Sequence, residues 1–73
     1  MAIYRLLHQQ QSVFEPDVVA IMGRAYEDVV NVLGLAAGDP RTELIAREVI
    51  ALTKAGERDP ARLKHLTIVA LES

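Results

Sequence analysis

The side chains that could carry out chemistry are few, and they are scattered along the chain. Histidine occurs only at His8 and His65, serine only at Ser12 and Ser73, and cysteine is absent. A metal site needs three or four ligands at short spacings, and neither an H-E-x-x-H stretch nor a Cys/His cluster is present. Both serines fall in the terminal stretches, which argues against a serine nucleophile. We therefore expect no metal, no cofactor and no catalytic residue, and we interpret His65 as a surface side chain.

The acidic residues follow the boundaries of predicted helices. Asp17, Asp39 and Asp59 stand next to prolines at helix starts, where a carboxylate caps backbone N–H groups or complements the helix dipole. General acid–base catalysis needs two groups held together in a cleft, and so small a chain has little cleft to offer. Gly34 and Gly38 bracket a loop that is neither a P-loop nor a dinucleotide fingerprint. The pattern predicts a protein that is not an enzyme and binds no evident small molecule.

The composition limits the chain to one small domain in need of extra burial. It has 73 residues, of which 51% are hydrophobic and only 4% aromatic, so the core must consist of Val, Ile, Leu and Ala. Such a core supplies about 3–5 kcal/mol, and oligomerisation is a common remedy. The net charge of −2, with both signs mixed along the chain, argues against a nucleic-acid partner. No run of about 18 apolar residues and no secretory signal is evident, so we expect a cytoplasmic protein with no membrane segment.

Helix start and stop signals divide residues 14–73, the predicted helical domain, into three helices over 16–33, 40–55 and 60–71. Pro16 suits a first turn, Gly34 and Gly56 suit helix ends, and the Asp-Pro pairs at 39–40 and 59–60 suit restarts. Apolar stripes at helical spacing support each helix: Val18, Ile21, Met22, Ala25, Val29, Val32 and Leu33; Ile45, Ala46, Val49, Ile50, Leu52 and Thr53, with Leu44 on the flank; Leu63, Leu66, Thr67, Ala70 and Leu71. The expected fold is all-α, a small three-helix bundle.

Residues 1–13 form a predicted N-terminal arm with room for a short fourth helix. Apolar side chains occur at the start of the arm, but the glutamines that follow carry no helical period. The pattern fits either a loosely held arm or one that docks on its own domain or on a neighbouring subunit.

The end of the third helix is apolar nearly all round, because Ile68 and Val69 lie off its main stripe. A helix that is apolar on every side should be buried on every side. We predict a protein interface here, formed by Tyr4, Leu7, Ile68, Val69 and Leu71. The alternative is that Ile68 and Val69 cover residues 3–7 of the arm within one monomer.

Two functions follow from these features. The leading hypothesis is a non-enzymatic protein–protein interaction or regulatory module, whose partner the sequence does not identify, with a homodimer through the third helix and the arm as the expected arrangement. The alternative is a helix-turn-helix-like nucleic-acid-binding protein, with Arg58, Arg62, Lys64 and His65 near the recognition helix. The apolar residues that follow them and the acidic net charge argue against this alternative.

Several short motifs resemble those of a group of very short bacterial proteins: Phe14-Glu15-Pro16-Asp17, Ala25-Tyr26-Glu27, Leu33-Gly34-Leu35, Asp39-Pro40 and Gly56-Glu57-Arg58-Asp59-Pro60. The group shares an F-x-P-D helix start and a C-terminal G-E-R-D-P-x-x-L turn, and the resemblance covers about residues 14–66. It implies a helical fold, and it supplies no activity and no functional residues.

Overall fold

The computed structural model describes residues 3, 5 and 14–72 of the chain. Three helices make up most of this part: α1 (Pro16–Leu33), α2 (Arg41–Lys54) and α3 (Pro60–Glu72). Each helix packs against the other two, and no strand occurs among the described residues. The predicted all-α three-helix bundle is confirmed, with helix ends within one residue of those expected.

The first helix begins without a side-chain cap. Glu15 has extended backbone dihedrals (φ −64°, ψ 152°), and its side chain makes no capping hydrogen bond. Its carbonyl oxygen accepts from the N–H of Val19 at 3.0 Å. Phe14 and Val19, the two positions of a hydrophobic staple, are both half-buried against the core. Apolar contacts, and not a carboxylate cap, therefore stabilise the start of α1.

The two Asp-Pro pairs start the other helices in the same way. Asp39 Oδ1 accepts from the backbone N–H of Arg41 at 2.9 Å, and Asp59 Oδ1 accepts from that of Ala61 at 3.0 Å. Each carboxylate thereby satisfies an N–H that has no partner within its own helix. The second helix begins at Arg41, one residue later than predicted, because Pro40 stands before its first turn (φ −57°, ψ −25°).

Glycine ends both of the first two helices. Gly34 is left-handed (φ 65°), and the N–H of Leu35 donates to the carbonyl of Val30 at 3.1 Å. Gly56 has φ 112°, and the N–H of Glu57 donates to the carbonyl of Leu52 at 3.1 Å. These are the bonds of a Schellman ending, which brings Leu35 opposite Val30.

The core lies between the three helices and includes Ile3 of the arm. Its members share almost complete burial: Ile3, Met22, Ala25, Tyr26, Val29, Ile45, Ala46, Val49, Ile50 and Leu63. Ile3 is fully buried, and both Ile3 and Arg5 have helical backbone conformation. The arm thus docks on its own domain at Ile3.

The predicted core stripe of the first helix extends too far. Val32 is 58% exposed and Leu33 is 40% exposed, so placing them in the core was wrong. The last buried residue of α1 is Val29; Val30 is half-buried, and residues 31–33 are exposed. None of the described helices is both long enough and apolar enough to cross a membrane.

Candidate protein-binding groove

An apolar groove of about 270 Å³ lies where one end of each helix meets. Leu33 at the end of α1, Leu44 near the start of α2, and Ile68 and Leu71 at the end of α3 line it, with Arg41 and Glu72 at its edges. Helices α1 and α3 therefore end at the same end of the bundle, and α2 begins there. We call these six residues the groove.

The inner wall of the groove is anchored, and its rim is exposed. Ile68 and Leu71 are half-buried and pack against the core. Leu33 is 40% exposed and Leu44 is 55% exposed. The groove thus presents leucine side chains to solvent on a wall that the core holds in place.

An ion pair fixes the basic edge of the groove. Arg41 Nε donates to Asp39 Oδ1 at 3.1 Å, and Arg41 Nη2 donates to Asp39 Oδ2 at 2.8 Å. These bonds and the Arg41 backbone N–H lower the pKa of Asp39 from 3.8 to about 2, and the carboxylate raises the pKa of Arg41. Because a bidentate pair orients a guanidinium, the remaining N–H groups of Arg41 are held beside the groove, while the Asp39 carboxylate offsets its charge.

The groove lining also includes an acidic side chain. Glu72 is exposed in the last turn of α3, and within the described part of the chain no ion pair engages it. The last turns of α1 and α3, all of whose residues are described, carry no basic side chain. Helix C-termini carry partial negative charge, so Glu72 lies at the negative end of α3, while Arg41 lies at the positive N-terminus of α2.

The groove contains two of the five predicted interface residues. Ile68 and Leu71 line it, whereas Val69, 46% exposed, is beside Ile68 in the chain but outside the lining. Tyr4 and Leu7 lie outside the described residues. Ile68 also packs against the core, so the inward face of α3 is wider than the predicted stripe.

Sequence reasoning missed Leu33 and Leu44 as surface residues. Leu33 continues the apolar stripe of α1, and only the position of the other helices exposes it. Leu44 does carry a sequence signal for an exposed apolar surface, because it is an apolar side chain that lies off the core-facing stripe of its helix. An off-stripe leucine three residues after a helix start was the available clue.

Two of the basic residues in the predicted helix-turn-helix are engaged within the chain. Arg58 Nη1 donates to the backbone carbonyls of Thr53 and Glu57, the latter at 3.0 Å. Arg62 Nε donates to Glu57 Oε2 at 3.1 Å, and this bond is the main cause of the lowered pKa of Glu57. His65 is exposed, as predicted. Both arginines thus stabilise the turn between α2 and α3 through these hydrogen bonds.

A cavity larger than the groove, of about 590 Å³, lies beside the start of α2, and its charged groups are already paired. Arg5 Nη2 contacts Glu43 Oε1 at 3.2 Å, and the Asp39 carboxylate is held by Arg41. Among the described residues, no group of three or more His, Cys, Asp or Glu side chains could hold a metal ion. His8, Ser12 and Ser73 lie outside the described residues.

No family model, no curated protein and no solved structure matches this chain. The motif resemblance to short bacterial proteins stays a prediction.

Proposed function

We propose that this chain is a non-enzymatic protein-binding module that works through the groove. The observation that carries the proposal is the exposure of leucine side chains in a concave site where three helix ends meet. Clustered exposed apolar side chains with a charged rim are typical of protein interaction sites. Isolated exposed leucines would need no explanation, but these share one cavity.

The groove supplies an anchor, and the rest of the interface must come from its surroundings. Full burial of a leucine contributes about 1.5–3 kcal/mol, so covering the exposed halves of Leu33 and Leu44 contributes about 1 kcal/mol each. That gain is small beside the entropy lost on association. A partner must therefore also contact the surface around the groove.

The cytoplasm is the proposed compartment. The sequence has no cysteine, which fits a reducing environment, and it mixes 8 basic with 10 acidic residues, which fits a soluble regulatory protein.

Site-specific photo-crosslinking in cells tests the proposal. A benzophenone amino acid replaces Leu44 in one variant and Ala20, an exposed residue near the other end of α1, in the control. We expect a discrete covalent adduct at position 44 and none at position 20, with the crosslinked chain identified by peptide mass. Matching adduct patterns at the two positions, or no adduct at position 44, would refute a binding role for the groove.

A further inference from the structure

The proposed function leaves the occupant of the groove open, and the inference that follows rests on that function. We propose that the occupant is a second copy of this chain, bound about a two-fold axis that places Arg41 against Glu72 of the partner subunit. In such an isologous contact the same surface serves both copies, so it must be complementary to itself.

The charges of the groove meet that requirement. Its lining holds one side chain of each sign: Arg41, in the first turn of α2, and Glu72, in the last turn of α3. A two-fold axis perpendicular to the line that joins them brings each Arg41 against Glu72 of the partner subunit, so the contact forms twice. A second copy therefore presents an acid to each Arg41 and a base to each Glu72, whereas a segment with charge of one sign complements only one of the two side chains.

Arg41 has the hydrogen-bonding capacity for a second carboxylate. A guanidinium has five N–H donors, and Asp39 takes one from Nε and one from Nη2. Arg41 Nη1 makes no hydrogen bond to the described residues, and the side chain is 63% exposed. Because Asp39 already orients the guanidinium, contact with a second acid costs little further side-chain entropy.

The available area suits a weak, reversible dimer. The low end of specific interfaces is about 600 Å² per copy, roughly an eighth of the 4601 Å² that this chain exposes. Within the groove, the exposed parts of Leu33 and Leu44 contribute apolar area to such an interface. A weak, reversible dimer of this kind forms at high protein concentration and dissociates on dilution.

Charge reversal distinguishes this geometry from other contacts. Alone, Glu72→Arg brings two arginines together at both symmetric positions, and Arg41→Glu brings two glutamates together. We expect each variant to weaken the dimer by about tenfold or more. In a 1:1 mixture of the two variants, both contacts again join unlike charges, so the dimer mass should return, as read by light scattering.

Controls separate loss of the interface from loss of the fold. Glu72→Arg places a cation at a helix C-terminus, which favours the folded monomer. Arg41→Glu also removes the Asp39 pair, so if its circular dichroism shows unfolding, Leu44→Glu replaces it: this position is 55% exposed in the monomer, and a dimer would bury the charge. Arg47→Glu, an exposed change of equal charge on α2 outside the groove, should leave the dimer unchanged.

The outcomes separate the inference from the function on which it rests. A monomeric wild type, unaffected dimerisation in the single variants, or variants that do not recombine when both are folded would overturn the two-fold arrangement. An adduct at position 44 to a different protein would overturn the second copy as occupant and leave the protein-binding function standing. An adduct of this chain with itself, together with recombination of the variants, supports both.

Discussion

Removing the side chain of Ile3 should nearly unfold the protein. Ile3 is fully buried in a core that includes residues of all three helices. Truncating a buried isoleucine to alanine costs about 2–5 kcal/mol, because the lost transfer free energy is joined by the cost of the cavity. The whole domain has only about 3–5 kcal/mol of stability. Ile3→Ala therefore removes half or more of it.

Urea unfolding followed by helical circular dichroism measures this effect. With a slope of about 1 kcal/mol per molar urea, the Ile3→Ala midpoint should fall by about 2 M or more. Ile3→Val keeps most of the side chain and should lose about 0.5–1.5 kcal/mol. All samples need the same low protein concentration, because self-association raises apparent stability.

The matched control is Val32→Ala, since Val32 is 58% exposed. That change should stay within about 0.5 kcal/mol of wild type. If Ile3→Ala also stayed within that limit, the arm would not belong to the core, and the account of how the N-terminal residues stabilise this bundle would be refuted.

Three further predictions concern single residues. Gly34→Ala should lower stability by about 1–2 kcal/mol because of its left-handed backbone, whereas Gly38→Ala, with equal space but no positive φ, should be nearly neutral in the same urea assay. Within the described residues the buried Thr67 Oγ1 has no hydrogen-bond partner, so Thr67→Val should raise the unfolding midpoint; a clear loss of stability would contradict this reading. The Asp39 pKa lies below its ordinary value, so the stabilisation by its ionised form is present above about pH 4 and lost as pH falls through about 2. A carboxyl NMR titration should give that pKa, and Asp39→Asn should be less stable near neutral pH but lose this part of the acid sensitivity.

The local features of the fold were predictable from sequence because they depend on a few neighbouring residues. Gly34 and Gly56 end helices through backbone freedom that other residues lack, and Asp39 and Asp59 start helices through short-range hydrogen bonds. Such signals act within four or five positions of the chain. They place helix ends within one residue.

The groove could be predicted only in part because it depends on where three helix ends meet. Periodicity assigned Leu33 to the core, and only the reach of the neighbouring helices exposes it. The apolar end of α3 did indicate a surface beyond the stripe, and Ile68 and Leu71 are in the groove. The meeting of Arg41 and Glu72 in one groove had no sequence signal, since 31 positions separate them in the chain.

Light scattering of the wild-type chain over a dilution series, beside Leu44→Glu, tests most directly whether the groove joins two copies. We expect a wild-type mass near twice the 8.0 kDa of one chain at the highest concentration, falling towards that single mass on dilution. The folded Leu44→Glu variant should stay at the single mass throughout. A wild type that remains monomeric up to about 1 mM, where even millimolar affinity would show, would contradict the dimer.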